Sequence, residues 1–212
     1  MSIWVIIPVK PLKRAKSRLA DVLSQEQREV FAVKSLLRLI ETVKSVPAVA
    51  GVLVISRDTK ALALARDAGA HTVQESGAPE LNNALMRATL VVGDWRANSV
   101  LVLPADLPLI TAEDITEIIR LGSRLNTIVI ATDRNENGTN ALMSTPPGLI
   151  PYSYGEGSFL RHIQLAQEAG VRVEIYHSDR LLDVDIPADL EVYLQNINPN
   201  TESLISPVES GA

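Results

Sequence analysis

Short runs of branched apolar residues recur along the chain and alternate with stretches of helical periodicity. The apolar runs are IWVIIP (3–8), VLVIS (52–56), SVLVLP (99–104), TIVIAT (127–132) and VRVEIY (171–176). Continuous apolar runs of this length are typical of strands buried on both faces, as in parallel sheets. The alternation of strand and helix predicts an α/β fold, with an open, mostly parallel sheet and helices on both of its faces.

The polar residues between the runs mark helix ends. Ser24 stands three residues before Gln27, and Thr111 stands three residues before Asp114. Both pairs have the capping-box spacing that begins a helix. The helical stretches 61–68 and 158–169 are each followed by a glycine, the residue that most often ends a helix.

Two regions break the alternation. Residues 133–157 are rich in Asn, Gly and Pro and predict a long loop with room for a hairpin, and such loops in compact domains are often functional. Residues 197–212 have no periodic pattern and predict a flexible tail. We therefore expect a single domain over 1–196.

Composition narrows the function classes. The chain has 212 residues, 46% of them hydrophobic, a net charge of −5 and no cysteine. Without cysteine there is no disulfide, no thiolate nucleophile and no cysteine-ligated metal. The acidic balance argues against nucleic acid as the main partner. No signal peptide and no membrane-spanning run is recognised, so we expect a cytoplasmic protein.

A cluster of positive charge directly follows the first predicted strand. Its members are Lys10, Lys13, Arg14, Lys16 and Arg18. In open α/β sheets ligands bind beyond the carboxyl ends of the strands, so this basic segment predicts a site for a small polyanion such as a nucleoside triphosphate. The alternative is a solvated turn that only keeps the loop soluble. Neither G-x-G-x-x-G nor G-x-x-x-x-G-K-[ST] occurs, which disfavours dehydrogenases and Walker-type ATPases.

Three aspartates are the strongest candidates for chemistry. Asp106 follows a predicted strand, and Asp183 and Asp185 alternate within LLDVDIP, a segment taken as an apolar strand. In an extended chain, alternate side chains share one face. Carboxylates that converge near a basic segment suit Mg²⁺, which binds through carboxylates and substrate phosphates. The alternatives are a turn aspartate at 106 and a helix cap at 185, before Pro187.

The long loop contains a second candidate anion site. Gly155 and Gly157 permit close backbone approach, and Ser158 opens a predicted helix whose N-terminus can bind a phosphate or carboxylate. Thr139 and Asn140 can add hydroxyl and amide contacts. The alternative is a plain glycine turn with a serine N-cap. No role is assigned to the histidines.

Six ordered segments together resemble a known family. They are PVKPLKRAKSRLA, ELNNALMRA, LVLPADLPL, ATDRNENGTNAL, YGEGSFLRH and LLDVDIPADL. In this order they are similar to the guanylyltransferases of coenzyme F-420 biosynthesis, which join GMP from GTP to 2-phospho-L-lactate or phosphoenolpyruvate. The resemblance extends to about Leu194 and implies the nucleotide-diphospho-sugar transferase fold, a three-layer α/β sandwich with a mixed sheet.

The resemblance also implies residue roles. It implies Mg²⁺ at Asp106, Asp183 and Asp185, and triphosphate contacts from Lys10, Lys16 and Arg18, which are then the catalytic residues. It places Asn82 near the nucleotide, and the phospho-acid acceptor at Thr139, Gly155 and Ser158. Thr132 stands where proline is common and Asn137 where glycine is frequent. These departures concern the shape of the loop and the choice of acceptor.

Several alternatives stay open at this point. A cytidylyl- or molybdopterin-type nucleotidyltransferase would share the fold, but those enzymes usually open with a glycine-rich loop, which is absent here. A non-catalytic nucleotide-binding module is the third hypothesis. The sequence does not choose among phosphoenolpyruvate, 2-phospho-L-lactate and 3-phosphoglycerate as acceptor. A homodimer is compatible with the apolar pattern, which isolates no interface.

Overall fold

The structure, a computed structural model, describes residues 2–77, 79–132 and 136–197. Its strands are β1 (Ile3–Val9), β2 (Val49–Ser56), β3 (His71–Gln74), β4 (Ser99–Val102), β5 (Thr127–Thr132), β6 (Thr139–Thr145) and β7 (Arg172–Tyr176). Its helices are α1 (Gln25–Lys44), α2 (Thr59–Asp67), α3 (Leu81–Asp94), α4 (Ala112–Leu121), α5 (Ser158–Glu168) and α6 (Pro187–Asn196). The helix starts at Ser24 and Thr111 are complete capping boxes, as predicted.

All seven strands join one mixed sheet in the order β3-β2-β1-β4-β6-β5-β7. Every pairing is parallel except the two made by β6, which runs antiparallel to β4 and β5. Val102 at the end of β4 pairs with Leu142 of β6. Because β6 runs the opposite way, its first residues lie at the edge where the parallel strands end. That reversal brings Thr139 and Asn140 to the carboxyl edge of the sheet.

Helices cover both faces of the sheet. One face, with Val5 and Ile7 of β1, packs against buried residues of α1, α2 and α4. On the other face, Ile6 and the neighbouring strands pack against α3, and the β5–β6 half packs against α5. Helix α6 closes a smaller cluster with α1, in which Phe31 and Tyr193 meet edge to face. The predicted α/β three-layer sandwich is confirmed.

The five predicted strands are present, but two further strands were not predicted. Strand β3 is a four-residue edge strand, too short for a clear pattern. Strand β6 lies inside the segment predicted as a loop, although a hairpin was allowed there. All seven residues of β6 are buried, including Thr139, Asn140 and Ser144. Polar residues such as these do not predict a buried strand, because the partners that allow Thr139, Asn140 and Thr145 to be buried are distant in the sequence.

The expectation that LLDVD forms a strand was wrong. Residues 181–185 are irregular and pair with no strand. Leu181 is buried in the core between the sheet and its helices, and Leu182 and Val184 are buried in the smaller cluster with α1 and α6. Of the predicted tail, 197–212, only Ile197 is described, and Asp133 and Arg134 of the family-like segment also lie outside the described residues. Within the described ranges, no helix combines the length and apolar character that a membrane span needs.

Candidate active site

A cleft of about 960 Å³ opens at the carboxyl edge of the sheet. The residues predicted for the site that line it are Lys10, Lys16, Arg18, Asp106, Thr139, Gly155, Ser158, Asp183 and Asp185. They come from the segment after β1, the turn after β4, the start of β6, the loop before α5, the first residue of α5 and the segment before α6. The structure therefore brings together residues that are up to 175 positions apart in the sequence, from Lys10 to Asp185.

The basic segment crosses the cleft as two 3₁₀ turns, Leu12–Arg14 and Ser17–Leu19. Leu12 and Leu19 are buried and hold it to the core. The backbone N–H of Leu12 donates to Asp58 Oδ2 at 2.8 Å, and the other oxygen of that carboxylate caps α2. Between the turns, Lys16 adopts a left-handed conformation with φ of 55°. The segment therefore has a defined backbone conformation and is anchored to the core, which is inconsistent with a merely solvated turn.

Lys16 is a buried cation in this segment. Its side chain is 5% exposed and its Nζ lies 3.1 Å from Asp106 Oδ2. Burial alone would raise the pKa of the Asp106 carboxyl, but the charge and hydrogen bond of Lys16, with a contribution from Lys10, outweigh burial and hold that pKa below its usual value. Asp106 is therefore ionised at neutral pH.

Asp183 and Asp185 face the same cleft in different surroundings. Burial, and after it the charge of Asp106, raises the pKa of Asp183 to about 6. The Asn140 amide donates to Asp183 Oδ1 at 3.2 Å and to the Leu181 carbonyl at 2.8 Å. Asp185 pairs with Arg18 at 3.0 Å and does not cap α6, because Ile186 is the N-cap residue there.

The donor set suits a hard cation. Asp106 and Asp183 are carboxylates whose charges interact unfavourably, a conflict that a divalent cation would relieve, and carboxylate oxygen is the ligand that Mg²⁺ prefers. In the described part of the chain, however, no three acidic or histidine side chains are gathered closely enough to hold a metal ion together. Asp185 is turned to Arg18 instead. Two of the three predicted ligands are thus adjacent and the third is engaged by a cation.

The opposite wall of the cleft is formed by the start of β6 and the start of α5. Gly155 and Gly157 both have positive φ, 127° and 69°, which a residue with a side chain would adopt only with strain. Gly157 is the N-cap residue of α5, and Ser158 is the first residue inside the helix. The alternative of a serine N-cap is therefore wrong. Ser158 is buried and lines the cleft together with Thr139.

Asn82 is placed differently from the other predicted residues. Its Oδ1 accepts a hydrogen bond of 2.7 Å from the backbone N–H of Tyr154, which ties the start of α3 to the loop before α5. The neighbouring Glu80 and Leu81 line the cleft, whereas Asn82 is not among its lining residues. A contact between Asn82 and a nucleotide stays a prediction.

Sequence reasoning missed two groups of residues that hold the site in place. Asp114 in α4 is fully buried and accepts hydrogen bonds from Tyr176, Ser178 and Arg180, which fixes the segment that leads to Asp183. His162 in α5 is fully buried behind Thr139. The capping-box spacing marked Asp114 only as a helix start, and nothing in the sequence links His162 to Thr139.

Relatives with curated names match most of this chain. A phosphoenolpyruvate guanylyltransferase from Rubrobacter xylanophilus is 37% identical over 191 residues, which is 90% of this chain and 92% of that protein. A 2-phospho-L-lactate guanylyltransferase from Methanocaldococcus fervens is 34% identical over 204 residues, covering 95% of this chain and 89% of that protein.

Solved structures share the fold at low sequence identity. A nucleotidyl transferase from Methanothermobacter superposes with a TM-score of 0.66 at 16% identity, covering 92% of this chain and 95% of that one. The CTP complex of CMP:2-keto-3-deoxy-manno-octonic acid synthetase gives 0.61 at 14% identity, covering 93% and 100%. The family model described as "Guanylyl transferase CofC like" matches residues 3–202. The resemblance drawn from the sequence motifs is thus confirmed, and the chain belongs to the guanylyl transferase CofC like family.

Proposed function

We propose that this chain transfers the guanylyl group of GTP to a small phospho-carboxylic acid, phosphoenolpyruvate or 2-phospho-L-lactate, and releases pyrophosphate. The observation that carries the proposal is the cleft itself. It places a built basic segment beside three carboxylates, and it places a hydroxyl-lined pocket at the start of a helix on the opposite wall. The names of the relatives support guanine as the base and these two acids as acceptors.

The proposed step is a displacement at phosphorus. A phosphate oxygen of the acceptor forms a bond to the α-phosphorus of GTP, and the bond from that phosphorus to the oxygen bridging the α- and β-phosphates breaks, so that its electron pair leaves with pyrophosphate. The acceptor phosphate is largely ionised at neutral pH, since its second pKa is about 6. No general base is required, and the contribution of the chain is positioning and charge neutralisation.

Residues in different parts of the cleft have different roles in this step. Lys10 and Arg18 are exposed at the mouth of the cleft and supply positive charge to the triphosphate, and Lys16 is held against Asp106 inside it. Asp106, Asp183 and Asp185 would hold Mg²⁺, which when bound neutralises phosphate charge and makes pyrophosphate a better leaving group. Thr139, Gly155 and Ser158 would receive the phospho-acid.

The test is an acceptor panel. Purified protein is incubated with GTP, ATP or CTP and with phosphoenolpyruvate, 2-phospho-L-lactate or 3-phosphoglycerate. Pyrophosphate release is followed and the product is identified by mass spectrometry. We expect pyrophosphate release that depends on both GTP and a phospho-acid, and a product with the mass of that acid plus GMP. Release with CTP alone among the nucleotides would favour a cytidylyltransferase, and binding without release a non-catalytic module.

Statements about pathway, cofactor, compartment and partners belong to the same proposal. The product would serve coenzyme F-420 biosynthesis, Mg²⁺ would be the cofactor, and the protein would act in the cytoplasm without nucleic acid, as a monomer or a homodimer. Replacement of Mg²⁺ by a chelator in the acceptor panel tests the cofactor directly. We expect turnover to fall to background and to return when Mg²⁺ is added back.

A further inference from the structure

His162 lies behind the acceptor wall of the cleft, with both ring nitrogens engaged. The ring is fully buried, and Tyr154 packs against it edge to face. Nδ1 lies 2.9 Å from Thr139 Oγ1, and Nε2 accepts a hydrogen bond of 3.0 Å from the backbone N–H of Ser153. One imidazole thus links strand β6 to the loop that precedes α5.

The contact with Ser153 determines where the ring proton lies. A backbone N–H can only donate, so Nε2 must present its lone pair, and the single proton of a neutral imidazole must then be on Nδ1. Burial, aided by the neighbouring charge of Arg161, lowers the pKa of His162 to about 4, which keeps the ring neutral. It follows that Nδ1–H donates to Thr139 Oγ1.

The direction of that bond determines what the Thr139 hydroxyl can do. Oγ1 already accepts from His162, so the hydroxyl hydrogen is left to be donated. Within the described residues, no second group is hydrogen-bonded to this hydroxyl. Thr139 lines the cleft beside Gly155 and Ser158. An unsupported hydroxyl rotates between donor and acceptor roles, whereas this one is arranged to offer a donor to an anion.

We infer that His162 is a positioning residue: its Nδ1–H fixes the Thr139 hydroxyl as a hydrogen-bond donor to an anionic oxygen of the phospho-acid. The inference rests on the proposed function for the identity of that anion. The same ring and Arg161 also hold the loop that carries Gly155. Arg161 Nη2 donates to the Ser153 carbonyl at 2.9 Å, and its Nε donates to Ser153 Oγ at 3.1 Å. The wall is therefore fixed before the acceptor arrives, which lowers the cost of binding.

A matched pair of variants separates the two bonds of the ring. In His162→Asn the side-chain amide can replace the Nδ1–H donor to Thr139 but not the Nε2 acceptor. In His162→Gln the side-chain carbonyl can replace the acceptor for Ser153 but no donor remains for Thr139. We expect His162→Gln to raise the KM for the phospho-acid about ten-fold, the scale of one hydrogen bond to a charged group, and to leave the KM for GTP unchanged. His162→Asn should raise it less.

A double-mutant cycle tests whether His162 acts through Thr139. Thr139→Val, which lacks only the hydroxyl, should raise the acceptor KM about ten-fold or more, and Thr139→Ser should restore most of the loss. In the Thr139→Val background, His162→Gln should cause no further rise. Effects that multiply, or equal effects of His162→Gln and His162→Asn, would overturn the inference in favour of simple packing.

A spectroscopic measurement on the wild-type chain needs no variant to fold. With ¹⁵N-labelled histidine, the chemical shifts of the ring nitrogens distinguish the Nδ1–H form from the Nε2–H form. We expect His162 as the Nδ1–H form near pH 7, and an Nε2–H or doubly protonated ring would refute the inference. Failure of the proposed function would be seen in a different measurement. If the wild-type chain guanylylates no phospho-acid, the contact between Thr139 and the acceptor is contradicted even when His162 is the Nδ1–H form.

Discussion

At the scale of single residues, the cleft holds two neighbouring carboxylates whose repulsion opposes the stability of the fold. Asp183 is half-buried next to the Asp106 carboxylate, and both effects raise its pKa to about 6. Like charges in one site destabilise the fold, and such a pair is typical of a functional site that binds a cation or a charged substrate. Lys16 neutralises Asp106 but not Asp183, since its Nζ is bonded to Asp106. Of these two carboxylates, Asp183 is therefore the one whose charge the protein compensates less.

Asp183→Asn tests whether that charge serves function at the expense of stability. The variant keeps an oxygen to accept the Asn140 amide and loses the charge, so we expect thermal unfolding at neutral pH and without Mg²⁺ to occur a few degrees higher than in the wild type. Turnover with GTP should fall about 100-fold or more. Asp179→Asn, on the exposed segment after β7, is the matched control and should change neither quantity. A less stable but active Asp183→Asn protein would contradict the assignment.

At the scale of elements, one buried carboxylate joins helix α4 to the segment that carries the site aspartates. Asp114 accepts from both Nε and Nη2 of Arg180 at 2.8 Å, and from the Tyr176 and Ser178 hydroxyls at the same distance. Burial opposes ionisation of Asp114, but these hydrogen bonds, that of Arg180 first, hold its pKa far below the usual value. The irregular segment after β7 thus has a fixed path although it has no ladder of backbone hydrogen bonds.

Asp114→Ala should release that segment. The variant removes a buried acceptor with four partners and part of a capping box, so we expect a loss of about 2–4 kcal/mol in the free energy of unfolding, measured in urea. The dependence of turnover on Mg²⁺ concentration should shift to higher concentration, because Asp183 and Asp185 follow the released segment. Glu113→Ala changes the exposed neighbour on the same helical turn and should leave the Mg²⁺ dependence unaltered.

The elements also show what the sequence could predict and why the rest was hidden. Strands such as β1 and β5 were predictable because a strand that is buried on both faces is a continuous run of apolar residues. Strand β6 was not, since its buried Thr139, Asn140 and Thr145 are satisfied by partners distant in the sequence. The site residues were named through motif resemblance. The pairing of Arg18 with Asp185, and of His162 with Thr139, depends on tertiary contacts that spacing does not encode.

At the scale of the whole molecule, two titrating groups should act on stability in opposite directions. The pKa of His162 falls from 6.5 in the unfolded chain to about 4 in the fold. Its stabilising contribution is therefore present above pH 6.5 and is lost as the pH falls toward 4. The pKa of Asp183 rises from 3.8 to about 6, so the fold binds a proton that the unfolded chain releases, and stability is gained as the pH falls through 6.

The two contributions oppose each other over the range from pH 7 to pH 5, and that of His162 is the larger. One pKa unit corresponds to about 1.4 kcal/mol. On acidification from pH 7 to pH 5, His162 should therefore lower the free energy of unfolding by about 2 kcal/mol, and Asp183 should raise it by about 1 kcal/mol. The free energy of unfolding of the wild type should therefore fall by only about 1 kcal/mol over this interval. Each variant removes one of the two titrating groups, so its pH dependence should report the group that remains. His162→Gln should become more stable on acidification, and Asp183→Asn should lose stability more steeply than the wild type. Urea unfolding at a series of pH values, with a chelator present to exclude metal from Asp183, measures all three slopes. Identical slopes in the wild type and His162→Gln would contradict a neutral, buried His162, because a histidine that titrates alike in both states contributes no pH dependence.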